Sequence, residues 1–430
     1  MKPLLFENVR LIDPKSNIDQ LGRLLVQEGK IVGTDLPNAE GKPDECDIIN
    51  GQECVLCPGL VDMRVTVGEP GFEYRETINT AASAAAAGGI TTLAILPNSM
   101  PAIDNPALVT LLKTKGDHTR SVTILPYGAL TVGCEGKEMA EIGLLKEAGA
   151  IAFTDGNKAL ADTRLMMQTM SYAHGYDCLI VQHPEDPALA YKGSATQGEL
   201  STRLGLPSIP AAAEAIMIAR DLKLAEITKC RLHFGHVSTA EGLELIRQAK
   251  EKGLLISCDT APVYFDLNED AIGDFRTYAK LSPPLRSEAD RIAVCQALAD
   301  KTIDAIASDH FPRDVDDKRL PFAEAAAGGT GLVTLLSVTL TRVKDGTLSL
   351  MEAISFLTYR PSHLLGQPCG TLAKGADADL CLFDPTATWQ VVAGHLPGLA
   401  QNTPFDNRIL PGVVLGTWKR GRKTFFREIL

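Results

Sequence analysis

Five apolar runs in this 430-residue chain end in side chains that can bind a metal or move a proton. Asn98 follows the run 90–97, Asp155 follows 150–154, His183 follows 178–182, His236 follows 231–235, and Asp309 with His310 follows 304–308. Imidazole and carboxylate together suit Zn, Fe or Mn. An ion held by such groups acts as a Lewis acid and lowers the pKa of its bound water. No pair among them has a diagnostic local spacing. What unites them is that each stands just past a candidate strand.

The elements that must position them alternate. Strand candidates lie at 60–67, 90–97, 122–129, 150–154, 178–182, 231–235, 254–259 and 304–308. Helical stretches fall between, for example 209–224 and 239–252. Ser238 with Glu241, and Ser349 with Glu352, read as capping boxes. Eight strand–helix alternations predict an α/β fold, a (β/α)₈ TIM-like barrel, in which residues at the C-terminal strand ends share one catalytic face. A doubly wound sheet is the runner-up, but no Gly-x-Gly-x-x-Gly opens the first crossover. The flanks differ in texture. Short β-prone runs at 4–12, 23–32 and 46–55 return at 378–384, 388–392 and 413–426, each set too small to bury a face alone. The expected organisation is a composite β domain from 1–57 and 366–430 around a barrel at 58–365.

Composition narrows the function classes. Forty-five per cent hydrophobic and 22% charged residues describe an ordinary globular chain rather than a disordered or coiled-coil one. The formal charge of −11 argues against a nucleic-acid partner. The uncharged stretch 77–103 contains Asn79, Gly88-Gly89 and Pro97-Asn98 and reads as an Ala-rich helix followed by a strand, so no membrane partner is expected. No secretory leader is read at Met1, and the ten scattered cysteines read as reduced thiols of a cytoplasmic protein. Cys54 and Cys57 have half of a zinc spacing without a second pair. His118, His174, His233, His363 and His395 have no motif support, and 313–319 reads as a solvated loop.

With these motifs the chain resembles the dihydroorotase family of the amidohydrolase superfamily over nearly its whole length. The matching segments are Pro58-Gly-Leu-Val-Asp62-Met, Glu69-Pro-Gly71, Leu96-Pro-Asn98-Ser-Met-Pro101, Phe153-Thr-Asp155, His236-Val-Ser-Thr239, Lys280-Leu-Ser-Pro-Pro-Leu-Arg286 and Asp304-Ala-Ile-Ala-Ser-Asp309-His. The resemblance implies the amidohydrolase type of barrel. It also implies that Asp155, His183 and His236 occupy bridging and second-metal positions, and Asp309 that of the general base. The family's Asp-x-His-x-His, whose imidazoles hold the first metal, reads Asp62-Met-Arg64-Val-Thr66 here. The family's substrate-binding Arg is Gly68, its Asn before the double proline is Ser282, and a later His is Arg313. Pro-His-His after the seventh strand is Pro262-Val-Tyr264.

A guanidinium stays protonated and cannot ligate a metal. Arg64 is therefore expected to pair with Asp309, and also with Asp155, in the metal's place. On this reading Asp309, Asp155, His183 and His236 are vestigial. Gly68, Asn98, Ser282 and Arg313 mark a vestigial substrate pocket, and the histidines are hydrogen-bonded polar groups of a filled site. The expectation is a protein that is not an enzyme and needs no cofactor. The resemblance further implies a structural subunit that assembles with the catalytic chain of aspartate carbamoyltransferase in pyrimidine biosynthesis, as a homo-oligomer within the complex. The alternative is a mono-metal amidohydrolase with one Zn, a cyclic amidase or ureidase using Asp155, His183, His236 and Asp309.

Overall fold

The computed structural model describes residues 2–34 and 45–427. Positions 1, 35–44 and 428–430 of the expected composite domain lie outside the described residues.

Eight parallel strand positions run through the middle of the chain. Leu60–Val65, Ile90–Ile95 and Thr123–Pro126 form one sheet. Gly128–Ala129, Phe153–Thr154, Leu179–Gln182, Arg231–Phe234, Ile256–Thr260 and Ala305–Ile306 form the next. The third strand candidate breaks in two. Tyr127 stands at the break, its N–H donating back to Ile95 O while Gly128 turns to Ala152 O. The eighth strand returns to the first where Thr66 N donates to His310 O at 2.8 Å, beside a parallel Val65–His310 bridge. The fold is the (β/α)₈ barrel expected of the amidohydrolase type.

Period-two alternation explains why these strands are buried on both faces. Val61, Met63, Ala94, Leu125, Tyr127, Ala152, Leu179, Val181, Ala305 and Ala307 fill the barrel interior. Leu60, Leu93, Ile95, Phe153, Ile180, Leu232 and Phe234 face the helices. The helices start as side-chain caps dictate. Thr77 caps Ile78–Ala87, Asn105 caps Pro106–Thr119 and Ser287 caps Glu288–Ala299. The box at Ser349 and Glu352 is present. The one expected at Ser238 is not: Thr239 caps Ala240–Glu251, because Ser238 gives its N–H and hydroxyl to buried Glu214. The helix expected from 209 starts later, at Ala212–Thr228, since Ile209 pairs in a short strand with Thr196. Among the described residues no helix is long and apolar enough to cross a membrane.

Both chain ends contribute to one eight-stranded sheet, joined where Val55–Pro58 runs parallel to Leu4–Asp13 and antiparallel to Leu380–Gln390. Its separate core packs Phe6, Leu11, Leu24, Leu56, Leu382 and Trp418. Phe6 and Trp418 meet edge to face, with centroids 4.9 Å apart. Trp418→Ala removes the largest fully buried side chain and should cost about 3–5 kcal/mol. Denaturant unfolding followed by circular dichroism checks this; a loss under about 1 kcal/mol would show that the sheet does not depend on the contact.

Candidate active site

The C-terminal ends of the first, fourth, fifth, sixth and eighth strands converge on Arg64. Its side chain is 1% exposed. Nε donates to Asp309 Oδ1 at 3.0 Å, and Nη2 donates to Asn157 Oδ1 at 2.6 Å and to the Gly156 carbonyl at 3.2 Å. Backbone geometry makes room for it. A Cβ on residue 235 would stand 2.8 Å from Arg64 Nη1, so Gly235 is what lets the guanidinium pass. Asp62 turns the strand end inward, its Oδ1 accepting from the backbone N–H groups of Arg64 and Ser308. Burial pushes the Asp62 carboxyl up to about 6.

Asp309 joins this cation to the histidines. Its Oδ2 lies 3.1 Å from His236 Nδ1, a close contact outside hydrogen-bond alignment. His236 Nε2 meets His183 Nδ1 at 2.7 Å, so one imidazole donates to the other. Burial, helped by the Arg64 charge, lowers His236 to about 4 against the opposing pull of Asp309. Burial alone would raise Asp309, but the nearness of His236 and the charge and hydrogen bond of Arg64 outweigh it and hold the carboxyl below its usual range. Because His236 is neutral at pH 7, Arg64 is the standing positive charge that keeps Asp309 ionised.

Beyond His183 a second group continues the network. His183 Nε2 is 3.7 Å from Glu185, which lies 3.9 Å from Arg286; Arg286 in turn lies 3.8 Å from Glu214 and donates to Ser238 Oγ. Glu185, Arg286, Glu214 and Asn157 were not identified as site residues in the sequence. The available signals were the Glu two residues past His183, the Arg ending the Lys280 segment, and a Glu within a largely buried helix.

Other candidate residues lie apart from the centre. Asp155, the expected second partner of Arg64, has turned away. Its Oδ1 accepts from Leu130 N and Thr131 N, and its Oδ2 from Thr131 Oγ1 at 2.6 Å. Its carboxyl is raised because burial outweighs those bonds. Asn98 packs over Gly156. Gly68 is held by close approach, since a Cβ there would stand 2.1 Å from Phe72 O. No larger side chain fits at that position without the loop moving. Thr66 is buried on the closing strand, Ser282 is half-buried, and Arg313 stacks on Phe311 at 3.8 Å while donating to Ala327 O. Beside Asp309, a hollow of about 10 Å³ lies among Ser308, Gly329, Thr330 and Pro404. That is room for about one water.

Comparison with known proteins places this geometry. A family model described as Dihydro-orotase-like matches residues 53–242. A dihydroorotase of Syntrophus aciditrophicus is 41% identical over 97% of this chain and 98% of its own length. This chain belongs to the dihydroorotase family. A second dihydroorotase, of Pelobacter propionicus, is 40% identical over 99% of this chain and 100% of its own length. Among solved structures, L-hydantoinase (dihydropyrimidinase) from Arthrobacter aurescens superposes with a TM-score of 0.88 at 26% identity, covering 100% of this chain and 98% of that one. Dihydropyrimidinase from Brevibacillus agri, at 21% identity and a TM-score of 0.84 over 98% and 94% of the two chains, shares the fold.

Membership in the dihydroorotase family corrects two expectations. The chain was expected not to be an enzyme, yet several relatives near 40% identity over almost its full length carry an enzyme's name. Replacement of two imidazoles by Arg64 and Thr66 does not establish loss of turnover. The expectation of no cofactor is overturned likewise, because dihydroorotases and hydantoinases are typically zinc-dependent amidohydrolases. The side chains as arranged here nonetheless do not fit a divalent ion. His183 and His236 spend their facing nitrogens on each other, and Asp155 spends both oxygens on Leu130 and Thr131. Among the described residues no group of three His, Cys, Asp or Glu side chains is disposed to hold an ion.

Arg64→Met tests the electrostatics. Removing one partner of a buried pair should destabilise the fold by about 3–5 kcal/mol, and His236 should titrate above about 4. His236 takes its proton more readily unfolded, so its contribution to stability falls as pH drops from the usual histidine range toward 4; buried Asp62, protonating first when folded, contributes in the opposite sense. The readout is therefore the imidazole NMR titration of His236 itself. An unchanged midpoint would mean that the Arg64 charge does not govern this pocket.

Proposed function

We propose that this chain is an amidohydrolase that opens a cyclic amide or ureide, the class of the alternative expectation, with Asp309 and His236 of its expected residues and Arg64 in place of the single Zn and Asp155. The observation carrying the proposal is Asp309, kept ionised by Arg64 and set against His236 at the C-terminal face of the barrel. An ionised carboxylate beside a water-sized hollow is suited to take a proton from the attacking water. Neutral His236, bonded to His183, stands against the carboxylate and positions it. The same carboxyl can then return its proton to the leaving nitrogen. Arg64 Nη1, buried and unpartnered, is a donor available to a developing oxyanion. A six-membered ring needs more space than the hollow offers, so turnover requires the segments bearing Gly329–Gly331 and Pro404–Phe405 to move aside.

The test is ring opening of dihydroorotate, hydantoin and dihydrouracil by the purified chain, with and without added Zn²⁺. Hydrolysis of at least one ring is expected, with Asp309→Asn lowering kcat by about 10²–10⁴-fold. Absence of turnover on all three, under both conditions, would overturn the proposal.

We infer separately that the chain assembles with the catalytic chain of aspartate carbamoyltransferase, in a complex containing more than one copy of itself. The reading is supported by Ile216 and Ile227, 50% and 68% exposed on the helix Ala212–Thr228. Eleven residues apart, they share one helix face, which we take as the contact surface. Ten unpaired thiols fit a reducing, cytoplasmic setting for both roles. Co-expression followed by size exclusion should give one co-eluting peak at micromolar concentration, weakened by a double Ile216→Lys, Ile227→Lys variant. Two separate peaks from the unaltered pair would remove the partner.

A further inference from the structure

At the foot of the barrel, opposite Asp309, two adjoining hollows of about 150 and 250 Å³ open between the barrel and the composite sheet. They share Thr123, Lys419 and Arg420. Their walls differ in chemistry. The inner hollow is bounded on one side by Thr92, Leu125, Gln367, Cys369 and Thr371, neutral groups with several hydrogen-bonding atoms, and on the other by Asp377 and Asp379, each paired with a cation of the shared wall. The outer one carries Arg120, Lys419, Arg420 and Arg422 against a single carboxylate, Asp117.

Two of those cations are already committed: Lys419 is paired with Asp379 at 2.5 Å, and Arg420 with Asp377 at 3.1 Å. Arg120 and Arg422 have no ion pair or side-chain hydrogen bond among the described residues, and both stand exposed at the rim. On a chain of net charge −11, two unspent guanidiniums over a cleft are a local reversal of sign. Guanidinium forks match the oxygens of a phosphate in a bidentate manner. The volume is that of a small-molecule site with a few polar groups fixing orientation.

We propose that this cleft binds a small organic phosphate, its phosphoryl group held by Arg120 and Arg422 and its neutral, hydroxyl-bearing body lying toward Thr92, Gln367 and Thr371. The site is distinct from the Asp309 centre and does not depend on the activity assigned there. Because Lys419 and Arg420 belong to the composite sheet and Thr92 and Thr123 to the barrel, an occupant ties the two together.

Isothermal titration of the full chain at low salt checks this with three probes: ribose 5-phosphate, inorganic phosphate and ribose. Saturable binding of ribose 5-phosphate is expected, at least about tenfold tighter than inorganic phosphate, with none for ribose and a raised Tm in its presence. The exposed double variant Arg120→Ala, Arg422→Ala should keep the unliganded Tm and weaken binding by at least about tenfold. Gln367→Ala should weaken the sugar phosphate but not inorganic phosphate. Equal binding of the two anions would overturn the role of the inner hollow. No saturation by either at 10 mM (roughly the weak limit for a small ligand), or unaltered affinity in the double variant, would overturn the site.

Discussion

A guanidinium buried at the mouth of the barrel sets the terms for everything around it. Arg64 cannot shed its proton, so the fold supplies acceptors for its Nε and Nη2 and leaves Nη1 unpartnered. Asp309, Asn157 and the Gly156 carbonyl are those acceptors, from two different loops, and Gly235 leaves the space that the side chain crosses. The consequences spread by electrostatics. The permanent charge keeps Asp309 ionised and helps depress His236, which leaves a neutral imidazole to bond with His183. Burial and one residue two places past the Asp that anchors the first strand end therefore act together on Asp309 and His236.

A guanidinium and a divalent ion offer different chemistry to the same carboxylates. The ion gathers several ligands toward one point, whereas the planar fork accepts only partners lying along its N–H directions. That difference accounts for the separation of Asp155, His183, His236 and Asp309 here. Asp309 follows the fork, Asp155 finds Thr131 instead, and the histidines pair with each other. The motif residues persist in sequence while their mutual geometry is that of a hydrogen-bonded network.

How much of this could be read from the residues alone varies with the range of the interaction. All eight strands were legible because their apolar runs are short, separate and bounded by turn residues. The Arg64–Asp309 contact was legible because a family motif broke with a change of charge. Tyr127 was not, because a strand that hands its hydrogen bonds from Ile95 to Ala152 has no local signature. The turning away of Asp155 depended on Thr131, whose hydroxyl is an unremarkable feature of a loop sequence. The line from Glu185 through Arg286 to Glu214 joins three separate segments, and no periodicity reports such a meeting. Local competition also misled: Ser238 has the spacing of a cap, but a buried carboxylate at Glu214 outbids a helix N-terminus for its N–H.

The barrel lets these changes accumulate at one end because its stability is built elsewhere. The interior layer of Val61, Met63, Ala94, Tyr127, Val181 and Ala305 fills the space beneath the mouth without using any site residue, and the composite sheet has its own core around Trp418. Substitution at Arg64, Thr66 or Gly68 therefore alters charge and access at the C-terminal face while leaving the packing of the foot intact. The foot in turn is where the sheet meets the barrel and where Arg120 and Arg422 remain without partners. A scaffold divided in this way can carry two chemistries, one tuned by a buried cation at its mouth and one by exposed cations at its base, with neither constraining the residues of the other.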